Sequence, residues 1–159
     1  MKYTNQSPNH RGILIKKNPP VYTVQEGVES VRCTLPAHVT VDLVAGDEVI
    51  FRQHSKSGEI AKRLERRNVL VRRAARPKPG GYDHPQPLAA NLDLLVAVLA
   101  AFNPAPKWNW LDRCLVSAEA AGIPALICLN KMDQASQGNS KARRHLQDVL
   151  DEYRKAGYP

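Results

Sequence analysis

Two different patterns of apolar residues divide the chain. Between residues 12 and 72 the apolar residues fall in short segments separated by turn residues such as Asn18-Pro19-Pro20 and Glu26-Gly27. Short segments rich in β-branched residues between Gly and Pro turns predict β-strands. The strands predicted are 12–16, 21–25, 31–35, 47–52, 58–64 and 69–72. About five strands in about 65 residues fit an OB or an SH3-like barrel, and periodicity alone leaves both open.

The second pattern, after about residue 90, alternates continuous apolar runs with helical periodicity. The runs 94–99 and 125–129 predict parallel strands, of which the first is expected to be buried on both faces. Apolar residues at helical spacing predict helices over 108–121 and 141–156. Two strands are few for a doubly wound sheet, so this α/β unit is expected to be completed by another chain or by further sequence.

A stretch rich in proline and glycine, 76–87, lies between the two patterns. Its four prolines disfavour a helix or a central strand. The predicted organisation is therefore a barrel over 9–75, a linker over 76–90 and an α/β unit over 91–159.

The charge of +8 is concentrated in the first half of the chain. Residues 1–76 hold 14 Lys and Arg against 7 Asp and Glu, whereas residues 77–159 hold 9 against 8. A basic barrel joined to a nearly neutral unit predicts a polyanionic partner for the barrel. Seven of these cations fall within residues 62–76, and the candidates for RNA binding are Arg52, Lys56, Lys62, Arg63, Arg66, Arg67, Arg72 and Arg73. The alternative is a solvated basic face without a partner.

The remaining composition excludes several classes of protein. No run of 18 apolar residues and no secretory leader is found, so a cytoplasmic location without a membrane is expected. The three cysteines form no C-x-x-C pair and the five histidines are scattered, so no metal site is predicted.

One short motif carries recognisable chemistry. Asn130-Lys131-Met132-Asp133 directly follows the second predicted parallel strand, where open α/β sheets bind nucleotides. The Asp133 carboxylate can accept both the N1–H and the N2–H of guanine, Lys131 can lay its alkyl stem over the base, and Asn130 can brace the loop. The alternative is an ordinary polar turn, and composition alone gives such a match in roughly 2% of chains of this length.

Hydrolysis of GTP also needs a glycine-rich loop ending in Gly-Lys that holds the phosphates. None of the nine glycines is followed by lysine. This chain alone is therefore not expected to hydrolyse GTP, and no catalytic residue is assigned.

Several segments together resemble the bacterial ribosome small-subunit-dependent GTPase family. In the second half the matching segments are Leu88-Ala-Ala-Asn-Leu-Asp93, Asn109-Trp-Leu-Asp-Arg113, Ala118-Glu-Ala-Ala-Gly-Ile123 and Leu129-Asn-Lys-Met-Asp133. In the first half they are Gly12, Tyr22, Val24, Cys33, Val44-Ala-Gly-Asp-Glu-Val49, Gly58-Glu-Ile60 and Arg66-Arg-Asn-Val-Leu-Val-Arg72. The resemblance implies an OB barrel followed by the start of a circularly permuted GTPase domain.

The same resemblance implies a function. Members bind GTP and rRNA, act in maturation of the small (30S) ribosomal subunit, and carry Mg and Zn sites in segments that match nothing in this chain. We therefore expect a monomer that binds a guanine nucleotide through Asn130, Lys131 and Asp133 and docks on rRNA. The alternatives are a non-enzymatic RNA- and ribosome-binding module, or a degenerate product that aggregates through its open strand edge.

Overall fold

The chain folds into two compact units, Met1–Leu92 and Asp93–Pro159. The computed structural model describes residues 8–72, 85–137 and 140–159. Among these residues, no helix is both long and apolar enough to cross a membrane.

Five strands of the first unit form a closed barrel. They are β1 (Asn9–Asn18), β2 (Val21–Glu26), β3 (Glu29–Thr34), β4 (Glu48–His54) and β5 (Ser57–Arg63). Around the barrel they follow the order β1-β2-β3-β5-β4, with β3 and β5 parallel and the other pairs antiparallel. This closed five-stranded barrel confirms the predicted OB-like fold.

Alternation of buried and exposed residues explains why these segments form strands. Leu14, Val24, Cys33, Phe51 and Ile60 are fully buried in one core, contributed by all five strands. Their neighbours along each strand face outwards, as the two-residue period of a strand requires. Burial of this apolar surface is the main driving force for closing the barrel.

A short strand pair extends the first unit beyond the barrel. Strand β6 (Val69–Arg72) pairs in antiparallel fashion with β7 (Gln86–Ala90). The sequence analysis assigns residues 86–90 to the linker, because the proline-rich stretch extends to Pro87. Pro87 is tolerated because it faces Val71 in a two-stranded ribbon, and the bridge from the other edge of β7 to Ala45 is made at Ala89 instead.

Two asparagines fasten the end of β7 to the barrel. The Asn68 side chain donates to the Leu92 carbonyl and accepts from the Leu92 N–H, both at 2.8 Å. The Asn91 side chain donates to the carbonyl of Gly46 at 2.9 Å, and the N–H of Ala90 donates to Ala45 at 2.9 Å. These bonds explain why the first unit extends to Leu92. We call this set of bonds the asparagine clasp.

The second unit has the predicted βαβα order. It contains β8 (Leu95–Ala100), α1 (Trp108–Ala120), β9 (Ala125–Asn130), a 3-10 helix (Met132–Gln137) and α2 (Ser140–Lys155). Strands β8 and β9 are parallel, in register from Leu95 opposite Ala125 to Ala100 opposite Asn130. The GTPase-type α/β prediction is confirmed in this element order.

The prediction that the first of these strands is buried on both faces is wrong. Ala97 and Leu99 pack against Leu111 of α1, on the face that also contacts Tyr153 of α2. Val96 and Val98 point to the opposite face and are 46% and 54% exposed. Because the described side chains of both helices pack against one face, the other face of the sheet stays open.

Candidate guanine-recognition loop and basic surface

The Asn-Lys-Met-Asp motif begins at the carboxyl end of β9. The backbone here leaves the strand sharply, since Lys131 has a left-handed φ of 60°. The Asn130 side chain stabilises this turn by accepting the N–H of Lys131 at 2.7 Å. The N–H of Ala101 donates to the Asn130 carbonyl at 2.9 Å and extends the pairing of the two strands to the motif. The motif therefore lies at the edge of the sheet where its sequence predicted it.

Lys131 and Asp133 take different positions in this loop. The Lys131 ammonium donates to the backbone carbonyl of Asn103, in the loop after β8, at 2.7 Å. Asp133 lies in the first turn of the 3-10 helix, and its side chain is exposed. The N–H of Gln134 donates to the Lys131 carbonyl at 3.1 Å and closes the turn between them. An exposed carboxylate beside a fixed lysine stem is an arrangement that can receive a flat base.

Asn103 is the residue near this site that the sequence analysis missed. Besides accepting from Lys131, it donates from its side-chain amide to the Gln134 side chain at 3.3 Å. It has a left-handed φ of 44°. The dipeptide Asn103-Pro104 is a turn signal, but nothing in the sequence pairs it with a motif 28 residues later.

The structure gives Arg66 a different environment from the one predicted. Its guanidinium donates from Nε and Nη2 to the two oxygens of Asp47, at 2.6 and 2.8 Å, and from Nη2 to the carbonyl of Asp42 at 2.9 Å. The Asp47 side chain is fully buried and also accepts the N–H of Val44 at 2.7 Å. The Arg66 side chain is only 13% exposed, and the hydrogen bonds to Asp47 raise its pKa. The Arg66 guanidinium is therefore bound within the first unit by Asp47 and Asp42.

Two further predicted cations make contacts within the first unit. Arg63 donates to the carbonyl of Asp42 at 3.0 Å, and Arg67 donates to the carbonyl of Asn91 at 3.0 Å. Arg73 lies outside the described residues. The predicted cations that are exposed and make no ion pair with another described residue are Arg52, Lys56, Lys62 and Arg72.

Helix α2 carries cations that the sequence analysis did not single out. Every residue from 140 to 145 is exposed, including Lys141, Arg143 and Arg144. The first turn holds no acidic residue that would offset them, and cations are unfavourable at a helix N-terminus. The second unit is therefore nearly neutral as a whole but locally basic at the N-terminal end of α2.

Comparison with known families decides the affiliation of the chain. A model of the RsgA GTPase family matches residues 63–159. The chain belongs to the RsgA GTPase family. The resemblance seen in the sequence is thereby confirmed.

The relatives agree with this assignment. The small ribosomal subunit biogenesis GTPase RsgA of Marinobacter nauticus is 36% identical over 157 residues, which are 95% of this chain and 42% of that protein. The protein of the same name from Hahella chejuensis is 41% identical over 128 residues, 80% of this chain and 34% of its own. The chain thus spans less than half the length of these relatives.

Two solved structures share the fold. YloQ, described as a circularly permuted GTPase, superimposes with a TM-score of 0.68 at 26% identity, over 99% of this chain and 52% of its own. YjeQ from Thermotoga maritima superimposes with a TM-score of 0.69 at 24% identity, over 96% of this chain and 50% of its own. The barrel followed by an α/β unit is therefore shared with both solved structures, and this chain matches about half of each.

Proposed function

We propose that this chain supplies the guanine-binding loop and the RNA-binding barrel of a GTPase that acts in biogenesis of the small ribosomal subunit. The observation that carries the proposal is the motif at the end of β9, with Lys131 fixed by Asn103 and the Asp133 carboxylate exposed. The family assignment and the printed names of the relatives support it. We place this activity in the cytoplasm and assign it to a monomer.

Selection of guanine follows from the chemistry of the three motif side chains. The Asp133 carboxylate has two acceptor oxygens and matches the neighbouring N1–H and N2–H donors of guanine, whereas adenine has no donor at N1. A charge-assisted pair of this kind contributes about twice as much as neutral hydrogen bonds. Lys131 covers the base with its alkyl stem, and Asn130 holds the backbone of the loop through the Lys131 N–H.

Hydrolysis belongs, in this proposal, to the longer members of the family. The sequence holds no Gly-Lys phosphate loop, and among the described residues no three His, Cys, Asp or Glu side chains form a cluster that could hold a metal. The Mg and Zn that the resemblance implies therefore fit no site described here. We derive no catalytic step through either metal.

Binding of the base can be measured on the chain itself. Titration of GDP and of ADP into the labelled chain, followed by the amide NMR signals of residues 130–134, should show saturable shifts with GDP only. Equal shifts with both nucleotides, or shifts with neither, would remove guanine recognition from this loop.

The exposed cations of the barrel are the proposed RNA contacts. Arg52, Lys56, Lys62 and Arg72 can each neutralise a phosphate and release counterions, so affinity should fall steeply with salt. Shape and phosphate contacts should dominate, because few aromatic side chains are available in this unit for base stacking.

A pair of charge reversals tests this surface. Arg52→Glu with Lys62→Glu should weaken binding to a small-subunit rRNA transcript and lower the slope of log K against log salt by about 0.7 to 0.9 per lost phosphate contact. The matched control, Lys141→Glu with Arg144→Glu, makes the same change in net charge on α2. Equal losses from both pairs would show that net charge, and not the barrel surface, determines binding.

A further inference from the structure

The lysine of the recognition motif is held by a residue that the motif does not contain. Its ammonium lies 2.7 Å from the carbonyl oxygen of Asn103, in the loop that follows β8. Lys131 is a long side chain with several rotatable bonds, and without such an acceptor its stem would sample many rotamers. The position of the stem over a base therefore depends on where the carbonyl of Asn103 lies.

The side chain of Asn103 reaches the other end of the same turn. Its amide donates to Gln134, the residue after Asp133, while its carbonyl accepts from Lys131. The N–H of Gln134 in turn donates to the Lys131 carbonyl. Asn103 thus contacts the residues on both sides of the Met132-Asp133 pair and connects them to the neighbouring strand.

The backbone at the two contacting residues is unusual. Both Asn103 and Lys131 have left-handed φ values, 44° and 60°, although neither is glycine. At Lys131 such a conformation costs about 1 to 3 kcal/mol and persists only where the surroundings determine it, whereas asparagine adopts it at lower cost. Asn103 is exposed, so its conformation does not result from packing in the core. A strained Lys131 held by Asn103 at the carboxyl edge of a parallel sheet, where open α/β sheets bind nucleotides, points to a functional constraint.

We propose that Asn103 is a positioning residue for the guanine site. Its carbonyl fixes the stem of Lys131 that covers the base, and its side-chain amide fixes the turn that presents Asp133. The inference rests on the proposed function, because it assigns a role in binding the same base. It places one wall of the guanine pocket in the loop after β8.

Two substitutions at position 103 separate its backbone from its side chain. Asn103→Gly keeps the left-handed backbone accessible, and hence the carbonyl position, but removes the bond to Gln134. Asn103→Val also disfavours the left-handed backbone, because a β-branched residue rarely adopts it. The matched control is Ser55→Val, which introduces the same kind of strain at a left-handed φ of 55° in the barrel, far from the motif along the chain.

The decisive measurement is the ratio of the affinities for GDP and for inosine diphosphate (IDP). IDP lacks the 2-amino group that donates a hydrogen bond to Asp133 in the proposed complex. Displacement of Asp133 should therefore reduce this ratio, whereas general destabilisation of the unit would weaken the binding of both nucleotides alike. We expect Asn103→Val to lower the ratio of affinities about tenfold, the effect of losing one good hydrogen bond to a charged group, and Asn103→Gly to lower it less. Ser55→Val should leave the ratio unchanged.

The outcomes distinguish this inference from the proposed function. If the unsubstituted chain shows no preference for GDP over ADP, the proposed function fails and the role of Asn103 fails with it. If the unsubstituted chain prefers GDP and Asn103→Val keeps the full ratio of GDP to IDP affinity, only the role of Asn103 is overturned. A ratio that falls equally in Ser55→Val would also overturn it.

Discussion

Replacing Arg66 by methionine should destabilise the barrel and leave the second unit unaffected. The substitution keeps most of the apolar stem but removes three hydrogen bonds, two of them to a fully buried carboxylate. Removing one partner of a buried ion pair typically costs about 3 to 5 kcal/mol, since the remaining charge is left uncompensated. Because Arg66 is partly exposed and water can reach part of the gap, we expect the lower value, about 3 kcal/mol.

The chain provides a separate probe for each unit. Cys33 is the only cysteine of the barrel, it is fully buried, and burial raises its pKa to about 11, so it reacts only when the barrel opens. Both tryptophans, Trp108 and Trp110, lie in the second unit. In a Cys114→Ser, Cys128→Ser background, alkylation of Cys33 reports the barrel while tryptophan fluorescence reports the other unit.

Arg66→Met should accelerate alkylation of Cys33 roughly a hundredfold, since reaction through the open state follows its equilibrium population. The urea midpoint of tryptophan fluorescence should not move. Lys62→Met is the matched control, because Lys62 is exposed and a surface substitution of this kind stays within about 0.5 kcal/mol. If the two variants react alike, the ion pair with Asp47 does not stabilise the barrel and our account of Arg66 is wrong.

Three further predictions concern other parts of the chain. Gly46→Ala should destabilise the barrel by more than about 2 kcal/mol in the Cys33 assay, because its Cβ would lie 1.9 Å from the Ala90 carbonyl oxygen. The control is Gly27→Ala, which also has a left-handed φ but has no atom within 4 Å of the added Cβ, and it should cost only about 1 kcal/mol. Burial, assisted by the hydrogen bond to Asp112, raises the pKa of Tyr153 to about 12 from its usual 10. The folded state therefore favours the protonated phenol, so this contribution to the stability of the second unit should be complete below pH 10 and lost as the pH rises to about 12. The measurement is urea unfolding at each pH, followed by tryptophan fluorescence. Tyr153→Phe should abolish the pH dependence. Asp133→Asn should shift preference from GDP to XDP in the NMR titration, and unchanged selectivity would exclude Asp133 from the site.

The elements that the sequence predicted correctly are those with a local signal. The barrel strands alternate apolar and polar residues, and the helix ending at Ala120 is followed by Gly122 and Pro124. Strand β7 was missed because Pro87 and the prolines that precede it disfavour a central strand, although a two-stranded ribbon tolerates a proline. The open face at Val96 and Val98 was missed because a continuous apolar run does not show which of its faces is covered.

The same distinction holds for the candidate site. The recognition motif is four consecutive residues, so its chemistry could be predicted from the sequence alone. The partner of Lys131 is a backbone carbonyl of Asn103, 28 residues away, and a carbonyl has no sequence signature. Arg66 was predicted as an RNA contact because a buried carboxylate at Asp47 cannot be distinguished from an exposed one by composition.

The asparagine clasp has a consequence for how this barrel could be moved between proteins. A barrel cut at residue 75, where its own strands have ended, would lose β7 and leave the donors and acceptors of Asn68 without their partners at Leu92. A graft that runs through Leu92 keeps them. The smallest portable module therefore runs through Leu92, well beyond the last barrel strand, which ends at Arg63, and recombination between family members should preserve Asn68 and Asn91 together.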